Sequence, residues 1–216
     1  TWLSEMAKFL SPEKVLVGGP VRFAPANRPR HRYMALEFGS LIASAVGSIG
    51  AGNALMINGA NLAVRKSFFT SAWIGRADLD LLSGDDLFLL YQAKERPESI
   101  DFVWSEKAFV NTPPPNTYSD WWRQRRRWAA KASQYRDTEA QWVSWTVLLY
   151  NLFLAGVFVF GLRQGHTFGA WWWALAAKFI IDYPMLQRYA ELDGKKLSLV
   201  DAIATYDYVP ILESPK

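Results

Sequence analysis

The chain reads as an α/β layered domain that leads into an interfacial helix and two membrane-spanning helices. Three observations predict this. Residues 1–110 alternate helix-like and strand-like apolar runs, the pattern of helices layered on a sheet. Residues 142–162 (WVSWTVLLYNLFLAGVFVFGL) carry no charge, and they are long enough to cross about 30 Å of hydrocarbon at ~1.5 Å per residue. Between these regions Arg123, Arg125, Arg126, Arg127, Lys131 and Arg136 crowd one short stretch among tryptophans, which suits a phosphate or a membrane surface.

Composition narrows the chemistry. Half of the 216 residues are hydrophobic and 15% are aromatic, which excludes disorder, collagen-like repeats and a disulfide scaffold. Eleven Trp are many for a small soluble domain and suit interfaces, sugar-stacking surfaces or membrane belts. Cysteine is absent, so thiolate catalysis and Cys-ligated metal sites are excluded, and His31 and His166 are too few for a His-rich metal site. The chain opens at Thr1 without a charged n-region and apolar h-region. No signal peptide is expected, and the start reads as the middle of a longer polypeptide.

Taken in order, residues 2–10 predict a short amphipathic helix and 14–23 a strand through VLVGGPV. The apolar run 38–57 resembles a span, but its glycines and serines make a poor lipid-facing helix. We expect a packed helix over about 32–46, a Gly-rich turn, then a short strand at 54–57. NTPPPN at 111–116 is a stiff connector closing the first domain, 1–116. Thr117 and Asp120 have capping-box-like spacing and open a helix within 117–138. Trp121, Gln124, Arg125 and Trp128 fall on one face of it, so it should lie in the membrane interface. The first span is 142–162. The second, 168–187, starts at Trp171, Trp172 and Trp173 and carries Lys178 and Asp182 one turn apart, where each can neutralise the other. Basic residues before the first span outnumber the single Arg163 between the spans, so residues 1–140 and the tail 188–216 should be cytoplasmic. The run AELDGKK predicts a turn before that tail.

Three patterns carry chemistry. Asn58-Gly59-Ala60-Asn61 follows an apolar run; its Gly lets backbone approach a ligand and its Asn amides both donate and accept, although Asn-Gly is also a common turn. Ser83-Gly84-Asp85-Asp86 places two carboxylates at an element end, suited to a general base with an orienting partner, to metal ligation, or to capping the next helix. Asp78-Leu79-Asp80 looks like a metal-binding D-x-D and is read as surface charge near a turn. Gln124-Arg125-Arg126-Arg127-Trp128 suits a snorkelling helix, yet that does not explain the Gln between two Trp on one face.

Together these residues resemble the later portion of a membrane-bound family 2 glycosyltransferase, of the cellulose, chitin and hyaluronan synthase group. That group shows G-x-N, then an acidic pair ending in the catalytic aspartate, then Q-x-x-R-W before membrane helices. Here they stand as Gly59-Ala60-Asn61, Asp85-Asp86 and Gln124-Arg125-Arg126-Arg127-Trp128. The resemblance implies the second half of a GT-A-like domain, with the nucleotide-binding half preceding Thr1. Asp78 and Asp80 cannot replace the family's metal motif, which lies before G-x-N. A divalent metal, Mg or Mn, is thus expected in the full-length enzyme with no ligand in this chain, and the isolated chain is expected to be inactive. Gly84-Asp85-Asp86 also departs from the common T-E-D.

The implied reaction is inverting transfer of a hexosyl group from a nucleotide diphosphate sugar to a polysaccharide or lipid-linked acceptor. By the resemblance, Asp86 is the base and Asp85 its orienting partner. Gly59 and Asn61 line the donor side. Gln124 and Trp128 meet the acceptor, while Arg127, with Arg125 as a second candidate, faces the diphosphate. Lipid is a partner and nucleic acid is not. The implied setting is an integral membrane protein with its catalytic part in the cytoplasm, as in a bacterial inner membrane, serving polysaccharide synthesis. Two other readings stay open. Apolar–GDD–apolar also resembles the metal-binding hairpin of RNA-dependent polymerases, against which stand the missing upstream paired-Asp strand and the two spans. A truncated, non-catalytic membrane module is the other.

Overall fold

A computed structural model describes residues 1–26, 28–74, 85–94, 99–132, 137–164 and 168–193. Asp78, Asp80, Ser83, Gly84, Arg136 and the tail from residue 194 lie outside the described residues. Helix α1 (Trp2–Ala7) is followed by strands β1 (Lys14–Gly18) and β2 (Val21–Phe23), helix α2 (Pro29–Gly50), strand β3 (Leu62–Val64) and helices α3 (Lys66–Ile74) and α4 (Asp85–Lys94). Strands β4 (Ser99–Phe102) and β5 (Val110–Thr112) flank a 3₁₀ turn at Glu106–Ala108. Helices α5 (Tyr118–Ala132), α6 (Thr138–Gln164) and α7 (Phe168–Leu192) follow.

Strand β1 is the centre of a three-stranded sheet, antiparallel to β3 and parallel to β4. Its residues Val15, Leu16 and Val17 are all buried, as expected of a strand covered on both faces. On one side it packs with Phe68 and Ala72 of α3 and Leu89, Leu90 and Ala93 of α4. A second cluster joins Val21 and Phe23 to Met34, Phe38 and Ile42 of α2, to Phe102 and to Leu192 from the end of α7. These helices layered on a sheet match the predicted α/β class in its coarse form, although the chain is mostly helical.

The expected single strand 14–23 is two. Pro20 has no N–H to continue a ladder, and the adjacent Gly19 N–H donates instead to the Asn61 carbonyl at 2.8 Å. Beyond this break β2 pairs in parallel with β5 in a separate two-stranded sheet. The expected helix 32–46 is also longer. α2 starts at Pro29, where proline suits the first turn, and runs to Gly50, turning only at Gly52, whose φ is +78°. Burial of Phe38, Ile42, Ala43 and Ala45 along one side holds the helix across its glycines. Gly39 serves a close approach: a Cβ there would stand 2.7 Å from Tyr189 Cε1 of α7. Residues 54–57 are not a strand. Ala54 and Ile57 enter the core from a loop, and the strand that pairs with β1 is β3.

The capping box of α5 forms as its spacing predicts. Asp120 N–H donates to Thr117 Oγ1 at 3.1 Å, and Thr117 Oγ1–H donates to Asp120 Oδ2 at 2.7 Å. α6 and α7 pack together: Tyr150 Oη–H donates to the Ala174 carbonyl at 2.7 Å, and Phe158 meets Trp171 at 5.4 Å between ring centroids. Lys178 and Asp182 form their expected pair, 2.5 Å between Nζ and Oδ2. α7 does not stop at 187. It passes through Pro184 to Leu192, where Tyr189 Oη–H donates to the Val21 carbonyl at 2.9 Å and Arg22 pairs with Asp193. Burial pushes the Tyr189 phenol well above its ordinary range, with Asp193 adding to the shift. Of the run AELDGKK, Ala190, Glu191 and Leu192 are therefore helix, and Gly194 onward lies outside the described residues.

Among the described residues two helices are long and apolar enough to cross a membrane, Pro29–Gly50 and Thr138–Arg163. They differ in kind. A third of the first is buried against the sheet and α7, whereas only 6% of the second is buried. Trp142, Trp145, Leu148, Leu149, Leu152 and Phe153 of α6 all present bare apolar surface. α7 is long enough to cross but less apolar, because of its charged pair, tryptophans and Pro184.

Candidate active site

Three helices and a loop surround an open cleft of about 150 Å³. α2 contributes Phe38, Leu41, Ile42 and Ala45. The loop after it gives Met56, Ile57 and Asn58, the first turn of α4 gives Asp86 and Leu87, and α5 gives Trp128. Asp86 of the acidic pair and Trp128 of the Q-x-x-R-W segment, distant in sequence, thus line one cavity, which Asp85, Gln124, Arg125 and Arg127 do not line.

Asp85 and Asp86 occupy the first turn of α4, where the exposed N–H groups favour negative charge. Asp85 is exposed and Asp86 half-buried. Asp86 Oδ2 accepts from the Gly59 N–H at 3.1 Å and Oδ1 from the Leu87 N–H at 2.9 Å. Gly59 therefore touches the acidic pair directly, and the absence of its side chain permits that contact. A Cβ on Gly59 would lie 3.2 Å from Asp86 Cβ and 3.3 Å from Oδ2. Asn58 Oδ1 accepts from the Ala60 N–H at 2.9 Å, an Asx turn that shapes this loop.

Asn61, the last residue of G-x-N, is held inside the fold. It is 1% exposed. Its Nδ2 donates to the Pro20 and Ala108 carbonyls, both at 2.8 Å, and its Oδ1 accepts from Trp2 Nε1 at 3.0 Å. The amide is fully engaged in joining α1, the break after β1 and the 3₁₀ turn, so it is turned away from the cleft. Gly19 makes room for it, since a Cβ there would fall 2.4 Å from Asn61 Nδ2.

On α5, Trp121, Gln124, Arg125 and Trp128 share a half-buried face, as their spacing predicts. That face rests on α2 within the protein: Tyr33 meets Trp121 at 6.2 Å and Phe38 meets Trp128 at 6.1 Å. Gln124 Oε1 is buried and has no hydrogen-bond partner among the described residues. Arg125 is ion-paired to Glu37 of α2, and its guanidinium lies over the Trp128 ring at 4.3 Å and the Trp121 ring at 5.5 Å. Burial raises the Glu37 carboxyl above its ordinary range, with Arg125 pulling it back; burial likewise lowers Arg125, with Glu37 opposing. Arg126 and Arg127 are exposed on the other faces.

Glu37 and Phe38 escaped the sequence reading. One signal was available, because Glu37 is the only acidic residue between Glu13 and Asp78 and stands immediately before the apolar run 38–57. Among the described residues no three His, Cys, Asp or Glu side chains gather to hold a metal ion.

Comparison with curated proteins and with solved structures gives no match. The family model described as "Glycosyl transferase family group 2" matches residues 2–186, a span that takes in the sheet, the cleft, the acidic pair and the Arg/Trp helix. The chain belongs to glycosyltransferase family 2.

Proposed function

We propose that the cleft is the acceptor side of an inverting membrane glycosyltransferase, which moves a hexosyl group from a nucleotide diphosphate sugar to a glycan or lipid-linked acceptor. The observation that carries this reading is the shared cleft of Asp86 and Trp128. An acceptor hydroxyl against Trp128 would face Asp86. As its oxygen bonds to the anomeric carbon, Asp86 takes the proton, and the bond from that carbon to the diphosphate breaks. Arg127, exposed and unconstrained by Glu37, is the better candidate to offset charge on the departing diphosphate. Asp85 orients the base. Gly59 acts through Asp86, and Asn61 through the scaffold it ties together.

The membrane setting is supported by the bare apolar side chains of α6. In the proposed topology α6 and α7 form a hairpin with both ends cytoplasmic. Reporters at Gly165 and beyond α7 should then lie on opposite sides of the membrane, and the same side for both would refute the hairpin. The chemistry is tested in the full-length membrane enzyme with Asp86→Asn, which keeps shape but removes basicity. Turnover should fall by ~10²–10⁴-fold with donor binding nearly unchanged. Asp85→Asn should be milder. A fully active Asp86→Asn enzyme would remove Asp86 from the mechanism.

A further inference from the structure

We propose that Glu37 is a positioning residue for the transfer reaction, acting on Trp128 through Arg125. The inference rests on the reading of Trp128 as the acceptor platform. Three contacts converge on the Arg125 guanidinium: the Glu37 carboxylate and the faces of Trp121 and Trp128. Its Nε and Nη1 are buried without hydrogen-bond partners among the described residues, so Glu37 is the one anionic group that holds it there. A cation over an indole face is attracted by the ring quadrupole, and burial strengthens that attraction. The cation stays only while a carboxylate offsets the cost of its burial.

The next residue on α2 has a matching task. Phe38 lines the cleft and stacks on Phe23 at 4.3 Å between centroids, which anchors it to β2. Its ring stands 6.1 Å from Trp128. Two consecutive residues of α2 therefore set the acceptor platform, Phe38 by contact at the cleft and Glu37 through Arg125. Without Glu37 the guanidinium has cause to swing toward water, and Trp128 loses the cation beside it. Arg125 is thereby a support of the platform and not a ligand for the diphosphate.

The test uses the full-length membrane enzyme. Glu37→Gln should lower kcat/KM for the acceptor by roughly 10–100-fold, the scale of a misplaced reacting group. Inhibition by nucleoside diphosphates should stay within about twofold, since the donor side is untouched. Arg125→Lys keeps the charge and loses the planar stack, so it should show the same acceptor defect and covers the case in which Glu37→Gln folds poorly. In an Arg125→Met background, Glu37→Gln should have almost no further effect. Independent, multiplying losses would overturn the proposal. So would weakened diphosphate inhibition, which would make Arg125 a leaving-group contact. A readout free of activity is the fluorine resonance of Trp128 in enzyme carrying 5-fluorotryptophan. It should move in Glu37→Gln while that of exposed Trp122 does not, and an unmoved Trp128 signal would refute the coupling. If Asp86→Asn remained active while Trp128 still moved, the catalytic reading would fall and the coupling would stand.

Discussion

Replacing Gly59 with alanine isolates the placement of Asp86 from everything else near the cleft. Gly59 lies outside the left-handed region, where among the described glycines only Gly52 is found, so alanine fits the backbone without strain. The added Cβ would stand 3.2 Å from Asp86 Cβ, 3.3 Å from Oδ2 and 3.5 Å from Cγ. Ordinary carbon contacts begin nearer 3.5 Å, so the carboxylate must withdraw by a few tenths of an ångström. It can do so, being half-buried on the first turn of α4, at the expense of its 3.1 Å hydrogen bond from Gly59 N–H.

A misplacement of 1 Å costs about 10²-fold in rate, so a few tenths should lower kcat by roughly two- to fivefold. Stability should fall by no more than about 1 kcal/mol, the low end for overpacking, because the contacted group is a side chain with room to move. The assay is turnover at saturating donor and acceptor, beside donor binding and thermal unfolding. Gly59→Val, with more bulk at the same point, should deepen the turnover defect. Unchanged turnover in both variants would refute the argument that Gly59 acts by seating Asp86. Loss of donor binding with turnover preserved at saturation would instead return Gly59 to the donor side.

Asn61→Leu should lower stability by about 2–6 kcal/mol, since it strips the Pro20 and Ala108 carbonyls of their donor at ~1–3 kcal/mol each; a melting temperature within a degree of the parent would refute its scaffold role. Lys178→Met or Asp182→Leu alone leaves one charge facing apolar helix surface, so either should harm folding in the membrane more than the double replacement; additive single effects would disprove the pairing. Burial tends to raise the Asp137 carboxyl, but the hydrogen bond from Lys94 and the N–H groups of Ala140 and Glu139 outweigh it and hold it below the ordinary 3.8. A lowered carboxyl adds stability that is full above its unfolded value and fades as pH falls below about 4. Asp137→Ala should flatten that acid limb in a melting-temperature profile, and an unchanged limb would refute it.

What could be read in advance was local. The capping box of α5 and the Lys178–Asp182 pair involve residues three and four apart, where helix geometry alone brings side chains together. The Trp121/Gln124/Arg125/Trp128 face was legible for the same reason, although its partner was not. It lies on Glu37 and Phe38 of α2, and nothing in the Arg/Trp segment names a carboxylate from another helix. Strand β3 escaped because three residues, Leu62, Ala63 and Val64, are too few to show alternation and owe their state to β1. Asn61 was assigned to the donor side on its place in a motif. Its inward amide depends on two carbonyls, of Pro20 and Ala108, that only the folded chain brings within reach. Glycine count also misled at the end of α2: the helix continues past Gly47 to Gly50, since packing of its apolar side outweighs ~1 kcal/mol of propensity per glycine.

The two walls of the cleft are fastened to α6 and α7 at separate points. Asp86 lies in the first turn of α4 and Lys94 ends it, about 12 Å along at ~1.5 Å per residue. Lys94 pairs with Asp137, whose Oδ1 accepts from the N–H groups of Glu139 and Ala140 and so caps α6. With Leu89, Leu90 and Ala93 buried against β1 and its neighbours, α4 is a rigid strut between the carboxylate and the start of α6. The opposite wall, α2, is held by α7 through the Gly39–Tyr189 approach and the seating of Leu192 beside Phe38. α6 thus bears on the wall that carries Asp86, and α7 on the wall that carries Phe38. That arrangement ties the two walls of the cleft to two helices that themselves pack together.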